Sequence, residues 1–309
     1  MNDPSRPPDA GRAADAVLAR ANADASAADP DAAAAAAAAA RHAAAHAVGL
    51  AAHGAPAVVT STALQRVLAY GVHVFTASGV IFAFLAAAEV CRGTPRPKLV
   101  FLYLAIQVLI DSLDGPMARA VQIKLHAPRI DGRTIDDLVD YLTYTFVPLL
   151  LVWRMEWVAG GAVLAAAAMV ASLFGFANTG AKDEQGGFFL GFPSYWNIVA
   201  FYCGIWHALY GPGPGTVVIA ALALLTVLPV RFIYPNLAPR PWKLPTMIGA
   251  ALWLVLMAWM WLDYPRVRPW LMWLSLTYPA MYILLSASLD VTTRRDAARS
   301  TAAARPPVS

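Results

Sequence analysis

Charge is scarce in this 309-residue sequence: Asp, Glu, Lys and Arg together make up 14%, against roughly 25% in an ordinary soluble domain. So little charge cannot solvate a globule of this length, which excludes the common water-soluble classes. The net charge of +4 makes no case for a nucleic-acid partner and fits basic loops lying against anionic lipid headgroups. Cysteine is scarcer still. Cys91 and Cys203 are the two present, far apart and in or near apolar segments, and they read as unbridged, inert thiols rather than a disulfide framework. No basic n-region leads into a Leu-rich h-region, so no secretory signal peptide is expected. No internal repeat of solenoid period is present either.

Apolar residues fill the gap. They make up 59% of the chain, and the mean hydropathy is +0.54, which points to an all-α, polytopic membrane protein. From Leu68 onward, apolar runs recur between short polar breaks. Eight spans are expected, over about 68–90, 98–119, 134–153, 159–177, 194–210, 216–234, 246–262 and 268–288, each near the ~20 residues a bilayer requires. The breaks carry turn residues, among them Gly93-Thr94-Pro95 and the run Gly211 to Gly215. Residues 1–60 read as a low-complexity, Ala-rich, disordered cytoplasmic tail, residues 61–290 as the membrane domain, and residues 291–309 as a disordered basic tail. The alanine tract Ala32 to Ala40 is too weakly hydrophobic to anchor a span. His42 and His46 belong with this solvated segment rather than with a metal site.

The chemistry concentrates between Asp111 and Asp140. Asp111 and Asp114 are three apart, Asp136 and Asp140 four apart, so on helices each pair shares a face. The apolar runs Leu99 to Ile110 and Tyr141 to Val152 flank them. Two pairs of carboxylates therefore lie at the ends of two hydrophobic helices, where ionisable groups are costly and usually functional. Gathered together they would repel one another unless cations share them, and hard oxygen donors suit Mg²⁺ or Mn²⁺. Gly115 and Ala118 leave room for a flat or bulky ligand to approach the backbone. Arg119 offers a fork of donors suited to phosphate. Gly132 opens the second helix, Asp131 before it reads as its N-terminal cap, and Asp137 lies off the Asp136/Asp140 face, within reach of Arg133.

The full spacing is D-x2-D-G-x2-A-R-x12-G-x3-D-x3-D. It resembles the signature of the CDP-alcohol phosphatidyltransferases, most of which have x8 where this chain has x12. The longer gap resembles the bacterial phosphatidylcholine synthase branch, as do the runs Pro128 to Pro148, Gly191 to Tyr202 and Val227 to Asn236. The likeness covers about residues 65–290; the long alanine-rich N-terminal segment is unlike the short tails of that branch. It implies transfer of the phosphatidyl group from CDP-diacylglycerol to choline with release of CMP, dependence on two divalent cations (Mn²⁺ or Mg²⁺), a bacterial inner-membrane location, membrane lipids as surroundings and a homodimer. By the same resemblance Asp111, Asp114, Asp136 and Asp140 hold metal, Asp140 is the general base, and Gly115, Ala118, Arg119 and Gly132 contact CDP-diacylglycerol.

A second stretch, Lys182 to Trp196, gathers Phe188, Phe189, Phe192, Tyr195 and Trp196 beside Asp183 and Glu184. Choline carries a quaternary ammonium that donates no hydrogen bond, so aromatic faces and nearby carboxylates are its natural hosts. Tyr195 and Trp196, with Tyr144 behind Asp140 and with Asp183 or Glu184 as counter-charge, are the expected choline residues; an interfacial aromatic belt is the competing reading. Serine, glycerol phosphate or inositol phosphate are the alternative acceptors; the phosphorylated two would require a basic pocket, which Arg129 and Arg133 could supply. A transporter using the acids as an ion site would be expected to show a mirrored second half, and none is visible. Twelve basic residues fall on the motif side of the spans against six on the other, Arg92, Arg96, Lys98, Arg154, Arg266 and Arg268. Both termini and the motif are therefore expected on the cytoplasmic face.

Overall fold

The computed structural model describes residues 61–178, 180, 182–183, 188–233 and 238–303. The segment 1–60, with its alanine tract, His42 and His46, lies outside the described residues, as do Glu184 and residues 304–309. The described part is built from helices: α1 (Ala63–Ala77), α2 (Gly79–Val90), α3 (Pro97–Ala120), α4 (Ile123–His126), α5 (Gly132–Asp140), α6 (Val147–Arg154), α7 (Gly161–Ala177), α8 (Trp196–Tyr210), α9 (Gly213–Val227), α10 (Lys243–Asp263) and α11 (Pro269–Ala303). All eight expected apolar stretches are helical over most of their length. Among the described residues, four rods are long and apolar enough to cross a membrane: Ala63–Val90, Pro97–Ala120, Lys243–Asp263 and Pro269–Thr293. The architecture is that of an all-α polytopic membrane protein.

The shorter helices have local causes. α1 and α2 form one rod interrupted at Ser78, whose hydroxyl donates to the Phe75 carbonyl at 2.6 Å. The third stretch is divided: between α5 and α6 the chain adopts one π-helical stretch, Tyr141–Phe146. Pro148 accounts for it, because its ring has no N–H for the Tyr144 carbonyl and would crowd that oxygen in a regular α-helix. The sixth stretch was expected to run from 216 to 234, but α9 stops at Val227. Pro229 drives Leu228 into an extended conformation, φ −81° and ψ 145°. The chain then forms a strand.

That strand is a feature the hydropathy pattern hid. β1 (Lys182–Asp183), β2 (Phe188–Leu190) and β3 (Arg231–Ile233) make a small antiparallel sheet in the order β1-β2-β3, with Phe189 opposite Phe232. It is fastened to α11: Tyr282 donates to the Ile233 carbonyl at 2.7 Å, the Ile233 N–H donates to Ser286 at 3.3 Å, and Arg231 pairs with Asp290 at 3.7 Å. α11 itself continues to Ala303, into the stretch read as a C-terminal tail.

The core lies between α2, α3, α6, α8 and α11, around Leu104, Leu149, Leu151, Trp196, Ile205 and Leu271. Phe101 meets Phe201 edge-on at 5.1 Å and Tyr264 at 5.7 Å, and stacks near Trp157 at 6.2 Å. Gly204 permits this packing, since a Cβ there would run into Tyr264 and Trp157. Outward faces are apolar too. Little of α10 is buried, and Leu252, Val255 and Trp259 stand exposed on it, a surface suited to lipid rather than water. Cys91 and Cys203 are both free thiols, one exposed and one buried, as expected.

Candidate active site

Helices α3 and α5 deliver the acids. Asp111 and Asp114 lie in the last three turns of α3, and α5 starts after a connection, 121–131, that contains the short helix α4. Asp131 fixes that start as expected: its carboxylate accepts from the Arg133 N–H at 3.1 Å and the Thr134 hydroxyl at 2.8 Å, and these bonds hold its pKa below the usual carboxylate range. Arg133 pairs with Asp137 at 3.6 Å, one turn on. With the helix start defined, Asp136 faces α3.

The result is a tight acidic cluster. Asp111, Asp114 and Asp136 each offer an oxygen, and the three oxygens lie within 4.8 Å of one another. Asp114 is buried and the other two are half-buried. Two unit charges at 4.8 Å repel by roughly 3.5 kcal/mol at an effective dielectric near 20, less where water reaches them. Three such oxygens form a donor set that a hard divalent cation would satisfy. Asp140 follows one turn after Asp136 at the last residue of α5, half-buried, with Oδ1 shielded from the surface.

Tyr144 is brought onto this cluster by the π-helical stretch. Its hydroxyl donates to Asp111 Oδ2 at 2.8 Å, and its ring lies 6.1 Å from that of Tyr195, tilted by 57°. The sequence placed Tyr144 near the site but gave no sign of its bond to Asp111, which spans 33 residues; Pro148, which imposes the π-helical geometry, is the signal that was there to use. Tyr195 is 43% exposed, so the two rings form a pair with one open edge. Tyr141 is turned away, donating to the Met169 carbonyl at 3.3 Å.

Trp196 occupies a different setting from the one expected of a pocket wall. It is fully buried, its indole N–H donates to Ser172 at 2.7 Å, and Phe192 meets it edge-on at 5.2 Å. Ser194 also donates to Ser172, at 3.1 Å. Trp196 and Ser194 thus pin the segment that presents Tyr195, with Ser172 as the anchor, a role no sequence motif marks. Asp183 lies in β1, and Glu184 is outside the described residues.

On the other side of the acids, Gly115 is covered by its helix neighbour: a Cβ there would meet Arg119 Nη1 at 3.4 Å. Arg119 is exposed and Ala118 half-buried. Gly132 is close to a residue the motif does not include. A Cβ on Gly132 would lie 2.9 Å from His73 Cε1 and 3.2 Å from Nδ1, so the buried imidazole of α1 sits directly against the start of α5.

Comparison with known proteins adds an independent line. The chain is 36% identical to a phosphatidylcholine synthase of Pseudomonas aeruginosa over 187 residues, 58% of this chain and 74% of that protein. It is 33% identical to one from Rhizobium meliloti over 208 residues (66% and 83%) and 33% identical to one from Legionella pneumophila over 231 residues (72% and 88%). No family model matches the chain. No solved structure matches it either.

Proposed function

The chain belongs to the bacterial phosphatidylcholine synthases, a branch of the CDP-alcohol phosphatidyltransferase superfamily, and from that premise we propose how its residues divide the work. It is a transferase of phospholipid biosynthesis, joining choline to the phosphatidyl group of CDP-diacylglycerol and releasing CMP. The observation that supports the finer reading is the cluster of three carboxylate oxygens within 4.8 Å, with the Tyr144 hydroxyl on one of its members.

In this reading Asp111, Asp114 and Asp136, with Asp140, hold two divalent cations, Mg²⁺ or Mn²⁺ by the hardness of the donors. Bound there, such ions would supply positive charge to offset the diphosphate and the oxygen leaving with CMP. Arg119 grips a phosphate oxygen through its guanidinium, and Gly115 and Ala118 keep that face of α3 low enough for the cytidine. The choline oxygen bonds to the phosphorus that carries diacylglycerol as the bond from that phosphorus to the CMP oxygen breaks. Asp140 takes the hydroxyl proton, since it sits one turn from Asp136 and one of its carboxylate oxygens, Oδ1, is shielded from bulk water. Removing an alcohol proton at neutral pH requires such a positioned base.

Choline selection falls to Tyr195 and Tyr144. Their rings, 6.1 Å apart, offer faces to a trimethylammonium group while the Tyr144 hydroxyl ties that side to Asp111. Asp183 or Glu184 supplies counter-charge from the preceding loop, and Trp196 contributes from beneath by holding Tyr195 in place. The motif end of the bundle faces the cytoplasm of a bacterial inner membrane, where soluble choline and CDP-linked lipid meet, and the enzyme works as a homodimer.

The test is an acceptor comparison. Purified protein given CDP-diacylglycerol and Mn²⁺ should incorporate labelled choline into lipid and leave labelled serine, glycerol phosphate and inositol phosphate in the aqueous phase. Incorporation of any of those three in preference to choline would overturn the acceptor assignment.

A further inference from the structure

We infer that His73 is a positioning residue for this reaction, and that Gly132, the second glycine of the motif, is a glycine in order to admit the His73 ring; the inference rests on the reading of the acids given above. His73 belongs to α1, outside the motif, and is only 5% exposed. Its Cε1–Nδ1 edge occupies the space a Cβ on Gly132 would need. Its Nε2 has no hydrogen-bond partner among the described residues. A side chain chosen only to fill space would carry no orphaned nitrogen, because a buried polar atom without a partner is destabilising. Filling space is therefore not reason enough for a histidine here.

Position explains it better. Gly132 is the first residue of α5, and Asp136 and Asp140 follow at one-turn intervals on roughly the same side. Whatever fixes Gly132 fixes the rotation and depth at which both aspartates meet α3. The same rod makes a second seat further along. Gly79, the first residue of α2, admits Gln107 of α3 and Val139 of α5, whose side chains lie where a Cβ would stand. Gln107 is four residues before Asp111, and Val139 adjoins Asp140. The first span thus braces both acid-bearing helices at two levels, with His73 as the contact nearest the start of α5. Geometry at a reacting centre is unforgiving: a displacement of about 1 Å from a remote change can cost ~100-fold in rate.

The pairing makes a suppressor experiment possible. Gly132→Ala, His73→Ala and the double variant would be purified in detergent, checked for monodispersity, and assayed with both substrates varied. Gly132→Ala should lower kcat by ~10-fold or more, on the scale of a misplaced reacting group, with KM for CDP-diacylglycerol within about two-fold of wild type. His73→Ala should lower kcat less. The double variant should be more active than Gly132→Ala alone, because removing the ring makes room for the methyl group, a strong departure from additivity. If Gly132→Ala does not accumulate as folded protein, yield is the readout, and the double variant should restore it. Multiplying losses, a double variant that folds no better, or a raised KM for CDP-diacylglycerol that His73→Ala does not relieve would each overturn the inference, the last by returning Gly132 to the nucleotide. An inactive wild type would instead overturn the underlying assignment of function.

Discussion

The two ends of α3 treat charge in opposite ways. Near its Pro97 end, Glu89, Lys98 and Arg154 each have partners. Buried Glu89 takes Arg96 in a two-pronged pair at 2.8 and 2.9 Å and Arg92 at 3.0 Å. Lys98 donates to the Leu262 carbonyl at 2.8 Å and lies over Trp261 at 5.0 Å, and Arg154 donates to the Arg92 and Gly93 carbonyls at 3.3 and 3.4 Å. These contacts tie the ends of α2, α3, α6 and α10 together. Some thirteen residues further on, about 20 Å along the helix, Asp111 and Asp114 are pushed against Asp136 with their oxygens within 4.8 Å. One end spends its charges on holding helices together, and the other keeps like charges close at a cost in stability, as functional sites commonly do. The same residue type can therefore have opposite effects on folding and turnover, depending on which end it occupies.

The sharpest break in that comparison lies at the crowded end. Replacing Asp111, Asp114, Asp136 or Asp140 with Ala should lower turnover by at least ~100-fold, the scale for losing a positioned acid–base or charge-stabilising group. In chelator, Asp136→Ala should melt no lower than wild type, since a repulsion has been removed; a labelled-choline assay and thermal melts on one preparation read both effects. Next in size is Tyr195→Ala, which should raise the choline KM by roughly five- to thirty-fold, equivalent to about 1–2 kcal/mol of cation–π contact. The KM for CDP-diacylglycerol should stay put, and equal shifts in both constants would reassign Tyr195 to the interfacial belt. Tyr144→Phe keeps the ring and deletes the 2.8 Å bond to Asp111; a hydrogen bond to a charged group is worth ~1.5 kcal/mol or more, so kcat should fall by about ten-fold. The smallest catalytic effect belongs to the matched end. Glu89→Gln should leave turnover per folded molecule within about two-fold of wild type while lowering the thermal midpoint by a few degrees, because Arg96 and Arg92 lose their counter-charge and one acceptor oxygen.

Much of the crowded end was legible in the chain, and the matched end was not. Carboxylates at three- and four-residue spacing, each pair beside an apolar run, declare a shared helical face through local geometry alone, so Asp111, Asp114 and Asp136 were found before any fold was known. Asp131 as a helix cap and Asp137 with Arg133 were legible for the same reason. The pair of Tyr144 with Asp111, the seat of His73 on Gly132, and the anchoring of Trp196 and Ser194 to Ser172 are all contacts between distant segments, and no periodicity encodes them. Trp196 shows the limit plainly. Its place in an aromatic cluster suggested a pocket wall, but whether an indole faces a ligand or a core depends on the helix behind it, here α7 with Ser172. The small sheet escaped for another reason: Arg231–Ile233 continues an apolar run, and only Pro229 marks where helix gives way to strand.

Catalysis by the four acids requires that they act through a bound divalent cation. Wild type and Asp136→Ala, purified side by side in detergent, would be given CDP-diacylglycerol and labelled choline, first in EDTA and then across a Mn²⁺ titration. Label in the lipid fraction should fall to background in EDTA for both, return with Mn²⁺ in the wild type, and fail to return in the variant. Undiminished lipid labelling by the wild type in EDTA, or recovery of Asp136→Ala to the wild-type level, would contradict it.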